Sequence, residues 1–315
     1  MKAAATTMPT TRPAAPASLV YLLGYVAIYF SFLFAMHRFS GFDLSEPLLV
    51  LGLMGIGFSG LAWWATRTSI PLPFVVRQPA GETILVLVYM VPLVAYLTWG
   101  RKALALSTIP EPRQSVVILA IKLLLLVAIP AAMVRFGWGY QWRELFAFQG
   151  ARRHVWPALW MSLALIAFQC VAGRGLGDIR HSGFGPLTLI AGAPLIYLFL
   201  LLEVGLVEEF FFRELLQTRL ALWFESEMGG IVAMALLFGL MHAPGLYYNS
   251  AATQEAVGTH PSWLMAIGYS VVITSVAGFF LGVLWMKTRN LLLVMIVHAA
   301  GDFVPNFVPM LKNWI

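Results

Sequence analysis

The stretch Leu201-Leu202-Glu203-Val204-Gly205-Leu206-Val207-Glu208-Glu209-Phe210-Phe211-Phe212-Arg213 sets two neighbouring glutamates into what otherwise reads as membrane-buried helix. Ionisable groups at bilayer depth cost free energy, so they are rare. Where they occur, they face a protein or water-filled interior and usually do work there. Two more polar constellations stand in equally apolar surroundings, Phe238-Gly239-Leu240-Met241-His242 and His298-Ala299-Ala300-Gly301-Asp302. Together the three point to a buried hydrolytic site.

The rest of the chain supplies the setting. With 60% hydrophobic and 11% charged residues, 315 residues carry too little polar surface to cover a soluble globule. Apolar runs of about 20 residues span a bilayer as helix. Candidates stand near 18–36, 47–65, 83–99, 115–134, 155–173, 194–222, 229–246, 263–286 and 290–306. These runs are long, Leu-rich and continuous, without the period-2 alternation of a transmembrane β-barrel. The expected fold is an all-α polytopic transmembrane bundle of about eight helices, with the short last run a ninth helix or a re-entrant segment.

The first seventeen residues, rich in Thr, Pro and Ala, cannot bury anything and read as a disordered tail. The run from Ser18 is too long for a signal-peptide core, and no small-residue cleavage site follows Met36, so it reads as a first membrane anchor. Sorted by loop, the basic residues favour the side of the N-terminus, which puts that end in the cytoplasm. In a prokaryote the membrane would be the inner one. This distribution accounts for the formal charge of +6, and no nucleic-acid partner is implied. Cys170 is the only cysteine, which excludes an intramolecular disulfide and a thiolate metal cluster.

Tyr140 to Phe148, followed by Arg152 and Arg153, mixes aromatics and cations as an interfacial helix would; a loop with an aromatic belt fits equally. The Gly/Pro-rich segment from Arg174 to Pro186 then separates a first helical region, 18–187, from a second, 188–315, that carries the suspicious polar residues. Asp43, Glu46, Glu82, Glu111, Glu144 and Asp178 fall in expected loops, as do His37, His154, His181 and His260. Glu203, Glu208, Glu209, Glu214, Asp302, His242 and His298 fall within or beside apolar helix. In the first region only Lys122 is a comparable charge at depth, and it reads as a lysine that snorkels or pairs locally.

Helical geometry gives these residues different tasks. If the catalytic helix starts at Pro194 and ends near Trp223, Glu208 lies at its middle, roughly 21 Å along at about 1.5 Å per residue. Glu209 is stacked on Arg213 four residues on, an ion pair in the favourable acid-first order. Adjacent Glu208 points about 100° away, is left unpaired, and suits a general base. Phe238 shares a face with His242 and can fix its imidazole. His298 and Asp302 share another, where a carboxylate sets the tautomer and an imidazole N–H can donate to an oxyanion.

Glu-Glu-x-x-x-Arg at 208–213, Phe-x-x-x-His at 238–242 and His-x-x-x-Asp at 298–302, in that order on consecutive hydrophobic helices, resemble the signature of the CAAX prenyl protease and bacteriocin-processing (CPBP, Abi) family. The resemblance covers roughly 188–306. It implies an intramembrane endopeptidase of the glutamate type, in which Glu208 and His242 activate water. His298 and Asp302 would form the oxyanion site, and Glu209 with Arg213 would support the helix. The prenyl proteases usually carry asparagine where this chain has Asp302. An ionised carboxylate would repel an oxyanion, so Asp302 either stays protonated or only orients His298. Glu, His and His are a conceivable zinc set, but the resemblance implies a metal-free mechanism, and no cofactor is expected.

Three functions from different classes fit these residues. One is a protease acting on a lipidated or membrane-associated peptide. The others are a non-catalytic bacteriocin-immunity or scaffold protein of the same fold, and a transporter coupled through buried acids. Retention of both histidines favours the protease over the scaffold. The absence of paired broken helices in matching halves argues against the transporter. Membrane lipids and a peptide substrate are the expected partners.

Overall fold

The structure, a computed structural model, describes residues 15–72, 74–100, 109–146, 148, 154–173, 175–248 and 260–315. Most of the expected N-terminal tail, and Arg152 and Arg153 of the expected interfacial segment, lie outside these residues. The described residues form α1 (Ala17–Ser40), α2 (Ser45–Ala65), α3 (Pro79–Gly100) and α4 (Arg113–Trp138). After them come α5 (Trp142–Leu145), α6 (Val155–Ala172) and α7 (Gly175–Arg180). The series ends with α8 (Pro186–Trp223), α9 (Glu227–Tyr248), α10 (Trp263–Thr288) and α11 (Leu291–Trp314). They contain no β-strand.

Eight of these helices, α1 to α4 and α8 to α11, are long and apolar enough to cross a membrane. The protein is an all-α, multi-pass integral membrane protein. The last helix is not the short or re-entrant segment expected. It runs 24 residues through Pro305 and Pro309, and α6 is the shorter apolar helix. Trp142–Leu145 forms a single helical turn between the two readings of its segment, closed by a reciprocal Gln141–Glu144 capping box. Phe146 stacks on Phe210 with ring centroids 4.8 Å apart.

The helix expected from Pro194 also begins earlier. Gly185 is extended and Pro186 takes the first turn, where its missing N–H has no intrahelical partner to lose. Pro194 lies inside the helix. Glu208 nevertheless remains interior, 22 residues after Pro186 and 15 before Trp223.

By its contacts the chain forms two compact units. One comprises Met1–Trp64, Pro73–Ser107 and Leu215–Lys287; the other comprises Ala65–Leu72, Thr108–Glu214 and Thr288–Ile315. In the first unit α9 packs against α1 and α10. A Cβ on Gly239 would meet Ser270 O at 2.5 Å, so only glycine permits that helix crossing. The Tyr25 and Ser275 hydroxyls bond at 2.9 Å, and the Tyr29 hydroxyl donates to Pro47 O at 2.7 Å.

This unit also holds an acid that the sequence places in a loop. Glu82 stands in the first turn of α3, fully buried. Its Oε2 is 2.7 Å from Arg219 Nε. Its Oε1 accepts the backbone N–H groups of Arg77 and Gln78 at 3.1 and 2.8 Å. The signal is absent locally because the partner lies 137 residues away.

In the second unit α11 packs against α6, α7 and the first part of α8. Its core is built around Ile196, Leu200, Ala299, Phe307 and Leu311. A Cβ on Gly205 would stand 2.9 Å from Met295 O, so glycine lets the α8 and α11 backbones approach closely. Tyr197 donates to Ile296 O at 3.0 Å, and Gln169 to Gly301 O at 3.3 Å. His154, expected in a connection, is buried, with Nδ1 3.2 Å from the side-chain nitrogen of Asn290. Asn290 caps α11 by accepting from Leu293 N.

Candidate active site

The polar residues of α8 depend on how that helix is wound. Leu201–Leu206 and Phe210–Gln217 form π-helical stretches on either side of α-helical Val207–Glu209. In an α-helix two residues five apart differ in direction by about 140°. In a π-helix residue i bonds to i+5, so such a pair comes close to one face. Glu203 and Glu208 have this spacing, and both face α4.

There Lys122 meets them. Its ammonium donates to the Glu203 carboxylate and, at 3.1 Å, to the Glu203 carbonyl oxygen. It lies 3.8 Å from Glu208 Oε1. Lys122 therefore neither snorkels nor pairs locally: it is buried and bridges to residues more than 80 positions on. Glu208 is correspondingly not left unpaired. An ammonium at this depth needs counter-charges more than it can reach water, and α-helical spacing did not show that Glu203 and Glu208 supply them.

Glu209 is at the centre of a second arrangement. Its Oε2 is 3.2 Å from Arg213 Nε, the expected pair four residues apart. Its Oε1 is 2.6 Å from His298 Nδ1 on α11. Glu209 and Arg213 are wholly buried. Because a carboxylate only accepts, Nδ1 of His298 carries the proton of this bond. Asp302 stands farther off, with Oδ2 3.8 Å from His298 Nε2 and 40% of its side chain exposed. The tautomer of His298 is thus set by Glu209, a residue that the motif reading treated as support for its own helix. A carboxylate bonded to Nδ1 holds the ring better than one beyond hydrogen-bond reach of Nε2.

The Phe238–His242 motif belongs to the other unit and has its own internal geometry. The rings are 4.9 Å apart and tilted by 55°, and His242 Nδ1 lies 2.8 Å from Phe238 O. A carbonyl can only accept, so Nδ1 donates. The neutral ring then presents its lone pair at Nε2. Gly278 keeps α10 close, since a Cβ there would touch Phe238 Cδ1 at 3.0 Å. The phenylalanine therefore contributes its main chain as well as the ring packing expected of it.

Among the described residues no three His, Cys, Asp or Glu side chains form a group suited to a metal ion. Both oxygens of Glu209 are directed at Arg213 and His298.

Residues 190–304, which contain all three motifs, match the family model of type II CAAX prenyl endopeptidase Rce1-like proteins. Over this segment, 115 of the 315 residues, the chain is similar to the CAAX-protease, or CPBP, family, a family of proteases. Searches of curated proteins and of solved structures gave no match.

Proposed function

We propose that the protein is an intramembrane endopeptidase that hydrolyses a peptide bond in a membrane-associated or lipidated substrate. Glu208 is the general base, and His242 holds the attacking water through Nε2. His298 donates from Nε2 to the oxyanion, and Asp302 lines the same site. Glu209 and Arg213 hold His298 and the catalytic helix in place.

The reading rests above all on Glu209, a buried carboxylate with one oxygen on Arg213 and the other on His298 Nδ1. A purely structural pair would need only the arginine. Directing the second oxygen at an imidazole fixes which nitrogen faces outward, the task an orienting acid performs for catalytic histidine. In the imidazolium form Nε2–H can then stabilise a developing negative charge. The His242–Phe238 carbonyl bond supports the complementary role, because it leaves the proton-accepting nitrogen at Nε2. Metal is not needed for either role.

The description of the matched family, a prenyl endopeptidase, supports this substrate class. The test is cleavage of a prenylated CAAX-type reporter peptide by the purified protein in detergent, with peptides from membranes of cells bearing the intact protein or Glu208→Gln compared alongside. Cleavage by the wild type and none by folded Glu208→Gln is the expected result. A wild-type protein that cleaves neither the reporter nor any membrane peptide would support a binding or scaffold role and sink the protease reading.

A further inference from the structure

Lys122 lies outside residues 190–304 and in none of the three motifs. Its place nevertheless bears on the catalytic glutamate. We propose that Lys122 is a positioning residue whose ammonium, anchored by Glu203, orients the carboxylate of Glu208 for water activation. The proposal rests on the reading of Glu208 as the general base.

Three observations carry it. The first is burial: the side chains of Lys122, Glu203 and Glu208 are only 10, 16 and 13% exposed. The charges therefore act on one another in a medium that screens them little. The second is donor count. Lysine has three N–H donors; two meet the Glu203 carboxylate and carbonyl oxygen, and one remains for Glu208. One acid suffices to hold a buried lysine, so a second carboxylate 3.8 Å away is more than structural pairing demands.

The third is winding. The π-helical stretch Leu201–Leu206 is what turns Glu203 and Glu208 to the same side, and π turns inside α-helices are frequent at functional sites. A regular α-helix would carry one of them away from Lys122. The local conformation thus brings base and anchor together around one cation. Without that cation, two carboxylates on one face would repel each other, and Glu208 would lose a fixed neighbour.

The test separates positioning from folding. Lys122→Met alone would strand Glu203, so the informative protein is the charge-balanced double variant Lys122→Met with Glu203→Gln. It is compared with wild type and Glu208→Gln on the prenylated reporter peptide, with thermal unfolding measured in parallel. The double variant should unfold near the wild-type temperature. Its kcat should fall roughly 10- to 100-fold, the scale of a misplaced catalytic group, with KM little changed. Lys122→Arg, which keeps the charge, should retain most of kcat and decides the matter should the double variant not fold.

A folded double variant with wild-type kcat, a loss confined to KM, or a folded Lys122→Arg without activity would overturn the proposal. If Glu208→Gln is itself fully active, or the wild type does not cleave the reporter, the underlying reading fails and takes this one with it. Inactive Glu208→Gln beside a fully active double variant removes the positioning role alone.

Discussion

Two buried acid–arginine pairs in this protein are alike in their residue types and differ in what surrounds them. Glu82 in the first unit accepts from Arg219 and from two backbone N–H groups, so its carboxylate is surrounded by donors that belong to the fold. Glu209 in the second unit is ion-paired with Arg213 and accepts from a histidine side chain. The first arrangement ends in the main chain of Arg77 and Gln78, just ahead of α3. The second continues through the imidazole ring to Nε2, and on the same helix Glu203 and Glu208 stand beside Lys122 of α4. Burial and pairing alone therefore do not mark a functional acid; the mark is a partner that has a second, chemically useful end.

The largest effect expected is on Glu208. If it is the base, Glu208→Gln should lower turnover by at least about 100-fold, the lower range for general acid–base catalysis, with the unfolding temperature unchanged. A purified Glu208→Ala protein with full residual cleavage would place the chemistry elsewhere.

The two arginines provide the direct comparison. Removing one partner of a truly buried pair typically costs about 3–5 kcal/mol, and Arg213→Ala and Arg219→Ala should each destabilise the protein on that scale. Only Arg213→Ala should also reduce the kcat of the protein that remains folded, because it disturbs the carboxylate that holds His298. Equal kcat losses for both, normalised to folded protein by thermal melt and active fraction, would erase the distinction between them. A wild-type melt for Arg213→Ala would remove the buried-pair assignment altogether.

Asp302 should matter less. Glu209 already sets the His298 tautomer, and the Asp302 side chain is partly exposed and 3.8 Å from Nε2. Asp302→Asn is expected to keep most of kcat, since an amide N–H can donate where a carboxyl O–H would. A loss of about 100-fold or more, as when an oxyanion-hole donor is removed, would show instead that its negative charge is essential. The smallest effect is expected from chelation. Protein treated with a strong chelator should cleave at its original rate, and elemental analysis should find less than one zinc per chain. A tightly bound metal whose removal and return switch activity off and on would overturn the metal-free reading.

How much of this was legible in the sequence depends on the range of each interaction. The continuous apolar runs dictated a membrane-spanning helical protein, because a backbone in hydrocarbon must satisfy its own hydrogen bonds. Spacing four residues apart dictated the Glu209–Arg213 pair and the Phe238–His242 contact, because those partners share one helix. Tertiary structure alone decided that His298 leans on Glu209, that Lys122 joins Glu203 beside Glu208, and that Glu82 closes on Arg219, across separations of 89, 81 and 137 residues. Those pairings depend on which helices pack together, on a glycine such as Gly205 that lets two backbones approach, and on the π winding of α8. None of these leaves a periodic trace: a charge at depth announces that it needs a partner, and only the packing names which one.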